Sequence, residues 1–492
     1  MNELRLKISY SDEVSNETYL GLTDADFRAN PYQRYPASTL DQMRNHRSSI
    51  VASHVFRSEA GLTLTTTLYR HDYARIWRKV NHLRGADELL GVLQAPDTPR
   101  NALFVDVLRG RADSSSPAET IFIGPNDRTF VSQGVQSVTR WNPVTGPLRQ
   151  RLEMGVRIHN DSIDRRHSED GFSMIGGALV PEGSPTLVTA FNRDSTTALA
   201  LHALDAISYE RLTLTPGVRV EVLRGSSLDR ITGSEQTNLE RVLLPGIGAY
   251  YGLNEQLGVL AGVYRGFSPP PPGSGPDVGP EHSTNYESGA RFVSGRARAE
   301  AIGFYNDYAN LTDICTESSG CSNANLGRQF DAGRARSYGL ESSIAYELPV
   351  AGGIRLPFTA AYTLTYANFE ETFESQDPIY GSVESGDELP YVPRHQLSTT
   401  FGAEHDRGGA NAAVYYVSSM RETAGREPLS DVLSTDEQLW MDISAHVRPL
   451  KASRIYVDVR NVTGAAFIVS HRPFGARPNA PRWIQVGARV EF

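Results

Sequence analysis

The chain has 492 residues, 39% of them hydrophobic, with 43 Gly, 22 Tyr, only 6 Met and a mean hydropathy of -0.36. No stretch supplies the roughly 20 consecutive apolar residues that a membrane-crossing helix needs, and a formal net charge of -9 lacks the basic excess of a nucleic-acid binder. The glycine- and tyrosine-rich composition suits a β-rich, turn-rich chain, and closed β architectures commonly run this long as one unit. Low hydropathy does not exclude a membrane wall of strands, because half of each strand would face a polar lumen.

Met1 is followed directly by NELRLKISYSDE, which already alternates as a strand. No basic, apolar and small-residue succession of a signal peptide precedes it. In chain order, the period-two pattern predicts runs of ~10 to 14 residues, joined alternately by tight turns and long connections. Asn2 to Tyr10 leads into a long polar stretch to Asn45, and His46 to Ser58 joins Leu62 to Tyr73 through Glu59, Ala60 and Gly61. A long connection from Ala74 to about Phe130 precedes Val131 to Trp141, which turns through PVTGP into Leu148 to His159. A third long loop runs to about Arg193.

The next pairs are Thr196 to Tyr209 with Leu212 to Arg224, Leu239 to Tyr251 with Gln256 to Phe267, and Ser283 to Phe292 with Arg296 to Tyr308. Arg334 to Leu348 follows with Ile354 to Tyr366, Gln396 to Glu404 with Asn411 to Met420, and Gln438 to Val447 with Arg454 to Asn461. The final strand is Arg482 to Phe492, with Ile484, Val486, Ala488, Val490 and Phe492 on one side and Trp483, Gln485, Gly487, Arg489 and Glu491 on the other. The count comes to about eighteen strands. Leu152, Met154, Val156 and Ile158 opposite Arg151, Glu153, Arg157 and His159 show the same greasy and polar sides. The fold class implied is all-β, a transmembrane antiparallel barrel with short periplasmic turns and long extracellular loops. A soluble propeller or sandwich shares the alternation, but no 40 to 50 residue repeat is evident.

SNETYLGLTDADF (Ser15 to Phe27), NPYQRY (Asn30 to Tyr35), YRGFSPPPPG (Tyr264 to Gly273), SYGLE (Ser337 to Glu341), ELPYVPRHQ (Glu388 to Gln396) and Val457 to Phe492 resemble the barrel of TonB-dependent outer-membrane receptors. The first two segments are most similar to the ferric dicitrate receptor branch. The resemblance implies a Gram-negative outer-membrane location and a barrel of ~22 strands closed by an amino-terminal plug. It implies contact with outer-membrane lipid, a terminal strand ending at Phe492 that serves the barrel assembly machinery, and energy from the TonB complex acting through the plug. Residues 1–492 are then expected to be the carboxy-terminal part of such a barrel, without signal peptide, plug or about four strands, and inactive in uptake alone.

A ferric carboxylate siderophore is polyanionic, so Arg forks and His near the lumen top are its expected partners. Arg157 and His159 end an outward-running strand, Arg165, Arg166 and His167 follow at the base of the next loop, and His71 and Arg75 occupy a similar place. Pairing with Asp161, Asp164, Glu169 and Asp72 is the competing reading for these charges. Cys315 and Cys321, the only cysteines, lie in a long external loop, where an exported, oxidising setting favours a disulfide clip over a metal site. No HExxH, GxSxG or phosphate-loop motif is present, so no resident metal, cofactor or enzymatic activity is expected. Asp24 with Asp26, and Asp387 with Glu388, read as solvated loop acids. The same barrel serving cobalamin, a saccharide or another siderophore, or a secreted carbohydrate-binding or hydrolytic all-β protein, are the alternatives.

Overall fold

The computed structural model describes the chain except residues 87, 275–277, 317, 318, 322–328, 451 and 492. Eighteen long strands form one antiparallel meander. They are β1 (Asn2–Ser15), β2 (Gln42–Arg57), β3 (Leu62–Leu83), β4 (Ile121–Trp141), β5 (Leu148–Ile175) and β6 (Leu187–Tyr209). Then come β7 (Leu212–Asp229), β8 (Glu235–Gly252), β9 (Leu257–Ser268), β10 (Glu281–Ser294), β11 (Ala297–Ala309) and β12 (Ala335–Pro349). The last are β13 (Arg355–Phe369), β14 (His395–His405), β15 (Gly408–Val417), β16 (Gln438–Val447), β17 (Ser453–Arg460) and β18 (Trp483–Val490). Short strands Val144–Thr145 and Ala178–Pro181 complete a 20-stranded sheet. Each long strand pairs with its sequence neighbours, and among the described residues no ladder joins β18 to β1.

The expected strand positions hold at the turn ends, but several strands reach much further at the loop ends. Leu148 to His159 continues to Ile175, and Val131 to Trp141 begins at Ile121. Above the lipid band both faces of a strand are wet, so the apolar/polar alternation that marks strands in sequence stops while the ladder continues. Arg165, Arg166 and His167 therefore stand in β5, not at the base of a loop.

The faces sort as a membrane wall requires. Outward residues Ile158, Leu201, Leu243 and Val486 are exposed, up to 71% for Val486, whereas Arg157, Arg219 and Glu221 stand on the opposite face and hydrogen-bond there. Ile484, Val486, Ala488 and Val490 share the outward face of β18, opposite Gln485, which donates to the Tyr456 hydroxyl; Phe492 lies outside the described residues. Tyr286, Tyr305, Tyr338 and Tyr366 stand directly opposite one another across β10 to β13 on the outward face, with ring centroids 5.2 to 6.4 Å apart. Such an outward aromatic row is the kind that lies at a membrane interface.

Above the loop end sits a packed vault. Helix α1 (Asp24–Ala29) lies in the loop after β1, and α2 (Leu89–Gln94) and α3 (Pro99–Leu108) lie in the loop after β3. Thr98 caps α3 by accepting from the Asn101 amide, with Pro99 in its first turn, where proline loses no hydrogen bond. Leu89, Leu93, Phe104, Val105 and Leu108 pack with Leu20, Phe27, Ile468 and Phe474 in one buried cluster. Each fully buried side chain of this size contributes roughly 1.5 to 3 kcal/mol, enough to hold an ordered cap on loops whose polar composition alone suggests none.

That vault bridges β1 and β18 where the sheet does not. Leu22 and Ala476 exchange backbone hydrogen bonds of 3.1 and 2.7 Å, and the Gly21 amide donates to the Phe474 carbonyl at 2.6 Å. Arg28 donates two bonds to Asp436 at 2.7 and 2.6 Å. His471, fully buried, places Nε2 3.0 Å from Asp24 Oδ1 and Nδ1 3.4 Å from Glu422 Oε2. The acids expected to be merely solvated are thus ion-paired across loops: Asp26 takes Arg109 at 2.7 Å, Asp387 takes Arg426 at 3.0 Å, and Glu388 takes Arg394 and Arg421.

Candidate functional site

The lumen face of β3, β4 and β5 carries a dense set of cations. Along β3, Tyr69, His71, Tyr73, Arg75, Trp77 and Lys79 share one side of the strand. Register then places them opposite Gly134, Ser132, Phe130, Arg128, Asn126 and Gly124 of β4. One strand further on, Gly134 faces His159, Ser132 faces Asp161, Arg128 faces Arg165 and Asn126 faces His167.

Arg75, Arg128 and Arg165 therefore form a row across three adjacent strands, with side chains rooted about 5 Å apart. Two unit charges at that spacing repel by roughly 1 kcal/mol in bulk water and roughly 3 kcal/mol at an effective dielectric near 20. The row is compensated unevenly. Asp194 pairs with Arg165, and Arg75 lies 5.5 Å over the Trp77 ring, yet its buried Nε has no hydrogen-bond partner. Arg128 Nε donates at 3.0 Å to His167 Nε2. Burial, and then the charges of Arg128, Arg165, Lys79 and Arg75, push the His167 imidazole down to about 3, so it stays neutral and can accept. His167 lies beyond the outward apolar run that ends at Ile158, above the lipid band.

Below the row, Tyr69 reaches across β4. Its hydroxyl is 2.5 Å from His159 Nδ1 and accepts from Arg157 Nε at 3.0 Å, while His159 Nε2 lies 2.5 Å from Asp161. Gly134 makes this crossing possible, because a Cβ there would lie 2.6 Å from the Tyr69 hydroxyl. Above the row, Tyr19 from the loop after β1 packs edge-on against Trp77 at 4.6 Å, and Lys79 Nζ sits 4.2 Å from the Tyr19 ring. The loop after β1 thus roofs the basic face.

Of the residues expected at a binding site, Arg157, His159, His71, Arg75 and Arg165 share this lumen face. Arg166 does not: it is exposed on the other face of β5, opposite Asp127 of β4 and Phe191 of β6. His159 is paired with Asp161 as the competing reading held, whereas Asp72 pairs with Arg70 and leaves His71 Nδ1 buried without a partner. Arg128, Lys79, Trp77 and Tyr69 went unrecognised in sequence. Arg128 lies in what reads as loop before Val131, and the only signal is that the odd-numbered spacing of β3 continues past Tyr73. Cys315 and Cys321 are joined in a disulfide.

The sequence matches the TonB dependent receptor-like, beta-barrel family over residues 4–462. The chain belongs to that family. It is a family of Gram-negative outer-membrane receptor barrels, not of enzymes, which removes the hydrolytic alternative. Solved structures share the fold. The ferric citrate transporter FecA in its unliganded form aligns with a TM-score of 0.70 at 17% identity, over 99% of this chain and 67% of that one. The ferric-catecholate import receptor Fiu from E. coli K12 gives 0.70 at 15%, over 100% and 72%. The siderophore receptor PiuA from Acinetobacter baumannii gives 0.72 at 12%, over 99% and 72%.

Proposed function

We propose that this receptor barrel serves the uptake of an anionic ferric chelate of the carboxylate-siderophore class, such as ferric dicitrate, across the Gram-negative outer membrane, with energy from the TonB complex. The observation that carries the reading is the Arg75–Arg128–Arg165 row, three cations side by side on one lumen face, an arrangement complementary to a polyanion. Buried nitrogens without a hydrogen-bond partner beside it, Arg75 Nε and His71 Nδ1, fit the same ligand chemistry. The Tyr73 and Phe130 rings, 5.5 Å apart on this face, favour as a second reading a chelate that carries aromatic rings.

Binding measured through tryptophan fluorescence, with Trp77 as the local reporter, tests the proposal. Ferric citrate is expected to bind the wild-type chain and to lose at least tenfold in affinity in Arg128→Gln, since a charge-assisted hydrogen bond contributes about 1.5 to 3 kcal/mol. Equal binding by both proteins, or tight binding of cobalamin in place of ferric citrate, overturns it. Preference for a catecholate chelate selects the second reading.

A further inference from the structure

Away from the arginine row, two loops bring two cysteines and an aspartate together. Cys315 and Cys321 lie in the loop between β11 and β12, and Asp377 lies in the loop between β13 and β14. One ligand atom from each of the three comes within 4.8 Å of the others. Among the described residues, this is the only such grouping of His, Cys, Asp and Glu. Cys315 and Asp377 are completely buried.

Asp377 is the unexplained member. Its Oδ1 accepts from the Ile379 amide at 2.9 Å, but its buried Oδ2 has no hydrogen-bond partner. A disulfide offers that oxygen no proton donor and no charge, so the oxidised clip leaves Oδ2 without a partner. Burial raises this carboxyl above its ordinary range, against the Ile379 amide, Ser319 and the charge of Arg472, which favour its ionised form. Two thiolates and the carboxylate are, by contrast, a donor set for a borderline divalent cation of the zinc class. A Cα separation of 5.7 Å lets the two sulfurs part to the about 3.8 Å that a tetrahedral ion with Zn–S bonds of about 2.3 Å demands. Arg472 donates to the Ser319 carbonyl inside the same loop and supplies positive charge against the excess of anionic ligands.

We propose that Cys315, Cys321 and Asp377 form a redox-gated site that takes a zinc-class divalent cation when the disulfide is reduced and releases it on oxidation. Two molecules of a low-molecular-weight thiol deliver two electrons and two protons to the disulfide, giving two protein thiols and the small molecule's own disulfide. The cation then displaces both thiol protons and any proton on Asp377, and a solvent molecule fills the fourth position. Reoxidation withdraws two electrons from the thiolates to an acceptor disulfide, re-forms the S–S bond and expels the cation.

The experiment uses the full chain in detergent micelles, reduced with a phosphine, freed of metal and titrated anaerobically with Co2+. The expected result is a thiolate-to-cobalt charge-transfer band that saturates at one equivalent, is displaced by Zn2+, and is absent from the oxidised chain. Asp377→Asn is expected to weaken Co2+ binding at least tenfold while keeping the band. In a second measurement, Zn2+ is expected to slow alkylation of both cysteines at least tenfold in the wild type and far less in Asp377→Asn. Missing charge transfer in a reduced chain whose heat-modifiable gel migration shows a folded barrel overturns the proposal. Unchanged affinity in Asp377→Asn does so too, as does alkylation indifferent to Zn2+.

Discussion

His471 offers the sharpest test of how the vault is held. Its imidazole is 1% exposed and contacts Asp24 at 3.0 Å and Glu422 at 3.4 Å. Burial by itself pulls the imidazole down, but hydrogen bonds to Asp24 and Glu422 and the charges of both override that and raise it to about 9. A raised cationic group stabilises fully below its unfolded value near 6.5 and loses that contribution as pH climbs through about 9. The difference of two to three units corresponds to about 3 kcal/mol. Hydrogen exchange of the amides from Ile468 to Phe474, corrected for intrinsic base catalysis, is therefore expected to accelerate by up to ~100-fold between pH 6 and 10. In His471→Gln, which leaves Glu422 buried without its cation, exchange is expected to be fast at pH 6 and nearly flat with pH. A wild-type profile as flat as the variant's refutes the reasoning.

Asp41 acts in the same direction within the same cap, over a lower pH window. It is buried, accepts from Thr18 Oγ1 at 2.5 Å and from the Val80 amide at 3.1 Å, and burial raises it to about 7. Its favourable contribution is complete below its unfolded value near 3.8 and lost by about pH 7. Asp41→Asn is thus expected to abolish a pH 4 to 7 decline in vault stability, read by limited proteolysis of residues 84–120. Replacing Gly134 with Ala puts a Cβ 2.5 Å from the Ile158 carbonyl and 2.6 Å from the Tyr69 hydroxyl. A loss of about 1 to 3 kcal/mol is expected, measurable as a lower temperature of gel-mobility shift; no shift contradicts the close crossing at this strand. Affinity for ferric citrate is expected to fall steeply as salt rises from low to physiological, because the site is a field of cations. A salt-independent constant argues for an uncharged ligand.

The strand count was legible because lipid on one side and water on the other write a period of two into Leu152 to His159, Leu212 to Arg224 and the terminal strand. Legibility ended where that contrast ended. From Asn160 to Ile175 both faces meet water or the vault, so the pattern vanished and Arg165 to His167 read as loop. Arg128 was missed for the same reason, and with it the row that joins Arg75 to Arg165. The vault left weaker traces: Thr98 followed by Pro99 is a helix start, but α3 buries Phe104 and Leu108 against residues more than 300 positions away, which local spacing cannot reveal. Asp24 reads as a solvated acid until His471, 447 positions distant, is folded against it.

The meander makes nearly every backbone pairing a hairpin pairing between consecutive segments, so loop-closure entropy grows little as each strand is added. The exceptions that span most of the polypeptide are made by the cap, in Arg28 with Asp436, Asp24 with His471 and Leu22 with Ala476. Zippering of the wall is then expected to proceed by local steps, while cooperativity between its two ends waits for these late, distant contacts. A single backbone nick between Arg472 and Arg477 should leave the wall standing but uncouple its first hairpin from its last.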